Sequence, residues 1–416
     1  MIEIKHGNDL NGSSTVTVAH SIDLFAGGGG LALAMSTAGF RHVLVVERDP
    51  RACSTLLANA ACPSPAADSA PSSGPDRWPL AQGDIREVDF SRWHGTVGVV
   101  AGGVPCQPWS VAGAHKGYDD QRNLWPELLR CVRETQPQAV MAENVRGLLR
   151  PTFRPYYEYI LRSLAAPFDR RADGEAWFAH DQRLKKVLQY PPRDPSERYD
   201  VTYRLVNAAD YGVPQVRWRV FVVAFRHDLG ISGWRFPEPT HAEAVLLRSQ
   251  ESGEYWARHG IKRSGTATAW LPGLEEQLAP WRTVRDVLRD LPSPVVGAEN
   301  PHWLHHVGWP GAHEYPGHTP NDLDRPAKTI KAGVHGVPGG EGVVRLDDGS
   351  IRNMTVREVA RIMTFPDHWW VSGPRSEQMR QLGNAVPVAF GQAIAGAVAK
   401  ALNPTCDDRV SVLIQL

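Results

Sequence analysis

The sequence predicts a doubly wound α/β sheet carrying an inserted, loop-rich second domain, and three observations lead there. Strand-like runs at 16–25, 42–47, 97–102, 138–142, 202–208 and 219–225 alternate with helix-like stretches at 31–38, 51–60, 124–134 and 156–165. Such alternation places a mostly parallel sheet between layers of helices. After Asp228 the character changes: to about Ser350 the chain is rich in Gly, Pro, Trp and His with little periodicity, which predicts short strands and loops. Helical spacing then returns at 356–363 and at 388–402, where small and apolar residues alternate as on a packed helix.

Two stretches interrupt the alternation. Residues 63–78, rich in Pro, Ser, Ala and Asp, read as a solvated loop. Residues 168–198 are strongly charged and predict a surface excursion, in part helical. No internal repeat is visible.

A chain of 416 residues, 42% hydrophobic, is long enough for a large core and more than one domain. No apolar run reads as a membrane span, and residues 1–14 are too polar for a signal peptide. The five cysteines (Cys53, Cys62, Cys106, Cys131, Cys406) form no CxxC pair, which argues against a disulfide framework and a structural zinc. His302, His305 and His306 have no accompanying thiolates, so no metal is expected there either. A reducing, cytoplasmic setting is the simplest expectation. Net charge is zero, which weighs mildly against nucleic acid, although 45 Lys and Arg residues suffice to build one basic face.

Ligands of an open α/β sheet bind at the carboxyl ends of its strands, and unusual residues gather at those positions. The first strand ends in Asp23-Leu24-Phe25-Ala26, followed by Gly27, Gly28, Gly29 and Gly30 and then a helix. Glycines let the main chain approach a ligand, and a helix start offers free N–H groups. The second strand ends in Glu47, placed to accept hydrogen bonds from ribose hydroxyls; Asp84 and Ile85 follow the next short segment and would flank an adenine. Alone, these features also fit a nicotinamide dehydrogenase, since Gly27, Gly29 and Ala32 satisfy a loose GxGxxA pattern.

The fourth strand separates the two readings. Val99-Val100-Ala101-Gly102-Gly103 runs into Val104-Pro105-Cys106-Gln107-Pro108-Trp109-Ser110. Most lone cysteines are small buried hydrophobes, but Cys106 has a strand-end address, a preceding proline and flanking glycines. The next strand ends in Glu143-Asn144-Val145. Glu143 alone would pass for a turn cap or a surface ion pair, yet it ends the strand adjacent to the cysteine. Further on, Gln215-Val216-Arg217-Trp218-Arg219 puts two arginines on one face of a strand.

In these blocks the chain resembles the DNA cytosine-5 methyltransferase family, in the prokaryotic restriction-modification form. The matching segments are 23–40, Glu47, Asp84-Ile85, 102–110, 143–145, 215–219, 354–366 and 381–387, in the family's order and across nearly the whole chain. Val104 and Trp218 depart from the family pattern, where Pro or Phe and Glu are usual; both neighbour the chemistry without being reacting groups.

The resemblance implies S-adenosylmethionine as cofactor, double-stranded DNA as partner, no metal, no membrane, and a monomer. It implies that the Cys106 thiolate adds to C6 of a flipped-out cytosine, making C5 nucleophilic. A free thiol has a pKa near ~8.5, so Arg217 or Arg219 is expected to favour the anion, and one of the two to hold the cytosine O2. Glu143 is expected to protonate N3, a role that burial would support by raising its pKa. Phe25, Gly27, Gly30, Leu31, Glu47, Asp84, Ile85, Pro105, Leu124, Asn384 and Ala385 are the expected cofactor contacts. Gln107 and Ser110, with Lys328, Thr329, Lys331 and His335 of a second loop, are the expected DNA contacts, and 111–122, with Gly113 and Gly117, the closing loop.

The family's C-terminal match makes the catalytic domain discontinuous, 15–228 plus 380–403, with a target-recognition domain at 229–379, a disordered 1–14 and a tail at 404–416. The tRNA-methylating branch of the family is an alternative, disfavoured because it lacks so long an inserted domain. A solitary regulatory DNA methyltransferase is another. A non-catalytic homologue would be expected to lack Cys106 or Glu143.

Overall fold

The computed structural model describes residues 19–63, 77–105, 123–262, 277–314, 319–332 and 342–403. The expectations for the N-terminus, for Cys106, Gln107, Ser110 and the closing loop, for His335, and for the C-terminal tail lie outside the described residues.

The first half is β1 His20–Leu24, α1 Gly30–Thr37, β2 Arg41–Glu47, α2 Pro50–Asn59, β3 Ala61–Pro63, β4 Trp78–Gln82, β5 Val99–Gly103, α3 Trp125–Thr135, β6 Ala139–Val145, α4 Arg154–Ala165, α5 Trp177–Val187, β7 Tyr199–Asn207 and β8 Trp218–Arg226. The alternation is as expected except for β3 and β4, short strands that take up Pro63 and Trp78, the two ends of the stretch read as a loop. Helix starts carry local signals. Asp49 caps α2 by accepting from the N–H groups of Arg51 and Ala52, with Pro50 at its first turn. The charged excursion at 168–198 is α-helical over α5 and has a single 3-10 turn at Pro195–Glu197.

Eight strands form one sheet in the order β3-β4-β2-β1-β5-β6-β8-β7. All neighbours are parallel except those of β8, which runs antiparallel to both β6 and β7. From β1 the chain winds outward through β2, then returns through β5 and β6 on the other side. The strand order therefore reverses between β1 and β5, and the crevice where such sheets bind ligands opens there.

Period-two alternation sorts the side chains onto two faces. Ile22, Leu24, Leu44, Val46, Val100, Val140, Ala142, Val220 and Val222 bury against α3 and α4 through Trp125, Leu128, Tyr157 and Ile160. On the opposite face Val99, Ala101, Met141, Phe221 and Val223 pack with Leu31 and Met35 of α1 and with Phe390, Ile394 and Val398 near the C-terminus. Asp23, Glu47, Gly103 and Glu143 share the parity of this second face. The carboxyl side chains of Asp23, Glu47 and Glu143, near the ends of β1, β2 and β6, thus point to the same side.

Beyond β8 the chain forms β9 His241–Ala242, α6 Glu243–Glu251, α7 Glu254–Arg258, β10 Ala279–Pro280, α8 Val284–Leu288, β11 Asn321–Asp322, β12 Val343–Arg345, β13 Ile351–Asn353, α9 Val356–Ile362, α10 Arg375–Asn384 and α11 Val388–Leu402. The short strands were anticipated; α6, α7, α8 and α10 were not, because their apolar positions are too few to show a helical period. Two helices beyond β8 begin with a capping box, Thr283 with Asp286 at α8 and Thr355 with Glu358 at the anticipated α9. Val284, Val287, Ile330, Val344, Val359, Met363 and Trp369 share one core with Ala32, Val45, Leu56 and Leu80. Much of 284–371 therefore rests directly on the sheet layer.

Residues Arg375–Leu402, α10 and α11 together, are long and apolar enough by composition to cross a membrane, contrary to the expectation of no such run. The two helices are broken at 385–387, and α11 buries Phe390, Ile394 and Val398 in the protein core. Core packing accounts for their apolar character.

Candidate active site

The turn after β1 is held in a conformation that few residues adopt. Gly27 (φ 55°) and Gly29 (φ 91°) are left-handed, and so is Phe25 (φ 59°), where a side chain makes that geometry costly, of order 1–3 kcal/mol. Glu47 fixes the turn: its Oε2 accepts from Gly27 N at 2.7 Å, while Oε1 accepts from Arg48 N and Asp49 N at 2.7 and 2.6 Å. Space around the turn is tight. A Cβ on Gly30 would stand 2.3 Å from the Val386 carbonyl oxygen, and one on Gly29 2.9 Å from both Leu56 and Trp369. Trp369 also donates from Nε1 to the Gly28 carbonyl.

Asp23 lies just beneath this turn, fully buried, and neither of its carboxyl oxygens has a hydrogen-bond partner among the described residues. Burial, and secondarily the charge of Glu47, push its pKa well above the usual carboxylate range. An orphaned acceptor beside an acidic strand end, with helix N–H groups that no helical carbonyl satisfies, fits a ligand bearing hydroxyl and ammonium groups together with a carboxylate.

Across the switch point, Gly103 ends β5 opposite Glu143 of β6. A Cβ on Gly103 would sit 3.6 Å from Glu143 Oε2, so the end of β5 lies directly beside the carboxyl. Asn144 ties the outgoing chain down, donating from Nδ2 to the Val104 carbonyl at 3.1 Å. Cys106 follows Gly103 by three positions in the sequence. Arg219, opposite Val145 on β8, reaches diagonally to Glu143: Nε to Oε1 is 2.9 Å, with the two side chains 12% and 10% exposed. Burial raises the Glu143 pKa, opposed by the charges of Arg219 and Arg217. The carboxyl is therefore closer to proton exchange near neutrality than a solvated glutamate.

The structure divides the two arginines that the sequence places on one face. Arg219 is the partner of Glu143, whereas Arg217 is 1% exposed and donates to the carbonyls of Ile330, Gly383 and Ala385. With those donors committed to main chain, Arg217 is not available to a substrate in this arrangement except through Nε, which has no partner among the described residues.

Other expected contacts distribute unevenly. Leu31 and Ile85 are buried in separate core clusters. Asp84 caps the short helical turn after it and pairs with Arg86 and Arg48. Asn384 is exposed, and Ala385, Pro105 and Leu124 are half-buried at the crevice edge. Thr329 Oγ1 donates to the Val216 carbonyl at 2.8 Å, so that hydroxyl is turned inward, whereas Lys328 is exposed beside Thr319. Sequence reasoning passed over Asp23, Asn144 and Trp369 as ligand-shaping groups; only the position of Asp23 at a strand end hinted at its role. Among the described residues no cluster of three or more His, Cys, Asp or Glu is arranged to hold a metal ion.

A glycine turn and acidic acceptor on one side of a switch point, facing a buried, arginine-clamped carboxyl on the other, describe a group-transfer enzyme of the doubly wound methyltransferase class. The profile of the C-5 cytosine-specific DNA methylase family matches residues 19–166 and 194–400, and the chain belongs to that family. It is a DNA cytosine-5 methyltransferase, acting on DNA with a methyl donor. It is 30% identical to the Type II methyltransferase M.NgoMIV of Neisseria gonorrhoeae, covering 92% of this chain and 97% of that protein. It is 29% identical to the Type II methyltransferase M.Eco47II of Escherichia coli, covering 92% and 79% respectively. In fold it is similar to the solved structure of S. pombe Dnmt2 methyltransferase, with a TM-score of 0.53 at 14% identity, covering 93% of this chain and 99% of that one. The unmatched 167–193 carry α5, which precedes β7 at the end of the sheet away from the crevice.

Proposed function

We propose that the protein methylates C5 of a cytosine flipped out of duplex DNA, using S-adenosylmethionine and a covalent attack by Cys106. The observation that carries this reading is the Glu143–Arg219 pair, buried at the strand end adjacent to the one that leads into Cys106. Thiolate addition to C6 pushes electrons toward N3 and O2 of the ring. Glu143, its pKa raised, delivers a proton to N3, and Arg219 neutralises charge at O2. The resulting enamine carbon C5 takes the methyl group. Loss of the C5 proton to solvent then restores the C5–C6 double bond and expels the Cys106 thiolate, and N3 returns its proton to Glu143.

When bound, S-adenosylmethionine supplies an electrophilic methyl group on a sulfonium. Glu47 would accept from its ribose hydroxyls, Asp23 from its ammonium group, and Asn384 and the start of α1 would meet its carboxylate. Phe25 would bound the adenosine side and Asp84 the base. These assignments are supported by the unpartnered Asp23, the exposed Asn384 and the remaining lone pairs of Glu47.

We further read 15–228 with 380–403 as the catalytic domain and 229–379 as the target-recognition domain, with Lys331, His335 and the loop around them facing DNA. The Type II names of the two bacterial relatives support a protective role beside a cognate restriction endonuclease. Bisulfite sequencing of DNA from cells expressing the protein tests the reading. Protected cytosines within one recurring sequence are expected, and their absence in a culture containing folded protein overturns it.

A further inference from the structure

Arg217 joins three parts of the chain that are far apart in sequence. Nη1 donates to Ile330 O at 2.8 Å; Nη2 donates to Gly383 O at 2.8 Å and to Ala385 O at 3.0 Å. Among the described residues it forms no ion pair within 4 Å; the buried guanidinium is held by these three main-chain carbonyls and, at 3.4 Å from Nη1, by Gln215 Oε1. A charge without a counter-ion is an expensive means of filling a core, and an apolar side chain would serve packing better.

The segments it joins are functional neighbours. Residues 327–330 are laced along 214–217: Val216 N to Ala327 O at 2.8 Å, Ala327 N to Pro214 O at 2.9 Å, Ile330 N to Gln215 Oε1 at 3.0 Å, and Thr329 Oγ1 to Val216 O. This strip leads directly into the proposed DNA-reading loop. Gly383 and Ala385 flank the exposed Asn384. A Cβ on Gly383 would lie 2.4 Å from Ala332 N, so the strip and the Asn384 turn already touch main chain to main chain. Beyond that turn, the Val386 carbonyl abuts Gly30 of the glycine turn. Two residues along the strand from Arg217, Arg219 holds Glu143.

We infer that Arg217 is a positioning residue that couples DNA recognition to methyl-donor binding, locking the 327–332 strip and the Asn384 turn into one register. The inference rests on the proposed roles of that strip and of Asn384. A displacement of the strip on DNA contact moves the Ile330 carbonyl, and the planar fork transmits it to Gly383 and Ala385. Lysine, with a single ammonium on a flexible stem, lacks the fixed geometry needed to span the three acceptors. Coupling of this kind is reciprocal: DNA tightens the donor by the same factor by which the donor tightens DNA.

The test is calorimetry of S-adenosylhomocysteine with the full-length protein, in the absence and presence of a saturating duplex carrying the site mapped by bisulfite sequencing. In the wild type the duplex should tighten S-adenosylhomocysteine. In Arg217→Lys and Arg217→Met that ratio should shrink by about two- to thirtyfold, with the same shrinkage when duplex binding is titrated against S-adenosylhomocysteine. An unchanged ratio in folded Arg217→Lys overturns the inference, as does a wild-type ratio of one. Should Arg217→Met not fold, Thr329→Val removes the adjoining clasp and leaves Arg217 in place. Its ratio must also shrink, and an unchanged value overturns the proposal. Wild-type protein that binds neither S-adenosylhomocysteine nor the duplex refutes instead the proposed function on which the inference rests.

Discussion

Arg219 Nε lies 2.9 Å from Glu143 Oε1, and this pair spans the junction between the parallel part of the sheet and its antiparallel edge. The reversal of β8 is what makes the pairing possible. A parallel strand would present the start of β8 at the opposite end of the sheet, away from every other ligand-facing group. The antiparallel strand brings its first residues to the crevice, so a guanidinium meets a carboxyl whose pKa burial raises and the arginine charge lowers.

That balance predicts a pH signature in stability. The folded pKa of Glu143 is raised above its unfolded value of about 4.3. Between those two values the native state binds more protons than the unfolded state, so the stability contributed by Glu143 is full below the unfolded pKa and declines as pH rises through the folded one. Urea melts of wild type and Glu143→Gln across this range should diverge in favour of the glutamine variant as pH rises, and run parallel outside it. Parallel curves throughout would show that the carboxyl is not shifted.

Cys106 is open to a direct chemical test. A duplex carrying 5-fluorocytosine at the mapped site should trap wild-type protein covalently, because fluorine does not leave as a proton does. Cys106→Ser should give no adduct and no turnover while keeping duplex and donor affinity within about twofold, since the lost group makes no ground-state contact of comparable strength. Methylation by Cys106→Ser at the wild-type rate would remove the thiol from the mechanism.

Glu47 serves both the protein and its ligand, which gives its variants two readouts. Glu47→Ala strips the acceptor from Gly27, Arg48 and Asp49 N–H. The melting temperature should fall, and S-adenosylmethionine affinity should weaken by about 1–3 kcal/mol. A lowered melt with unchanged affinity by calorimetry would mean that Glu47 anchors the turn without touching the donor.

Two glycines should respond to alanine with opposite signs. Gly30→Ala forces a Cβ to 2.3 Å from the Val386 carbonyl, main chain that has no easy retreat. It should cost about 1–3 kcal/mol in denaturant melts and reduce donor binding. Gly396, inside α11, has nothing within 4 Å of an added Cβ. There alanine should add ~0.5–1 kcal/mol by restricting the unfolded chain, with donor affinity unchanged.

Much of the fold was legible in the one-dimensional pattern. The strands from β1 to β8 that alternate with α1 to α4 follow hydrophobic periods set by near neighbours, and α11 follows its small-and-apolar spacing residue for residue. The helices α6, α7, α8 and α10 were not legible, because each buries only a short strip and takes its stability from contacts to distant segments.

By itself the sequence determined six of the eight strands of the sheet, the strand ends at which chemistry gathers, and the kinds of residue placed there, since period and order are local properties of the chain. Tertiary structure alone decided the division of labour between Arg217 and Arg219, the isolation of Asp23, and the commitment of the Thr329 hydroxyl to an internal partner. Spacing records which face of a strand a side chain occupies. It does not record which distant carbonyl, carboxylate or void that face meets, and for buried polar groups those neighbours set the hydrogen bonding and the charge.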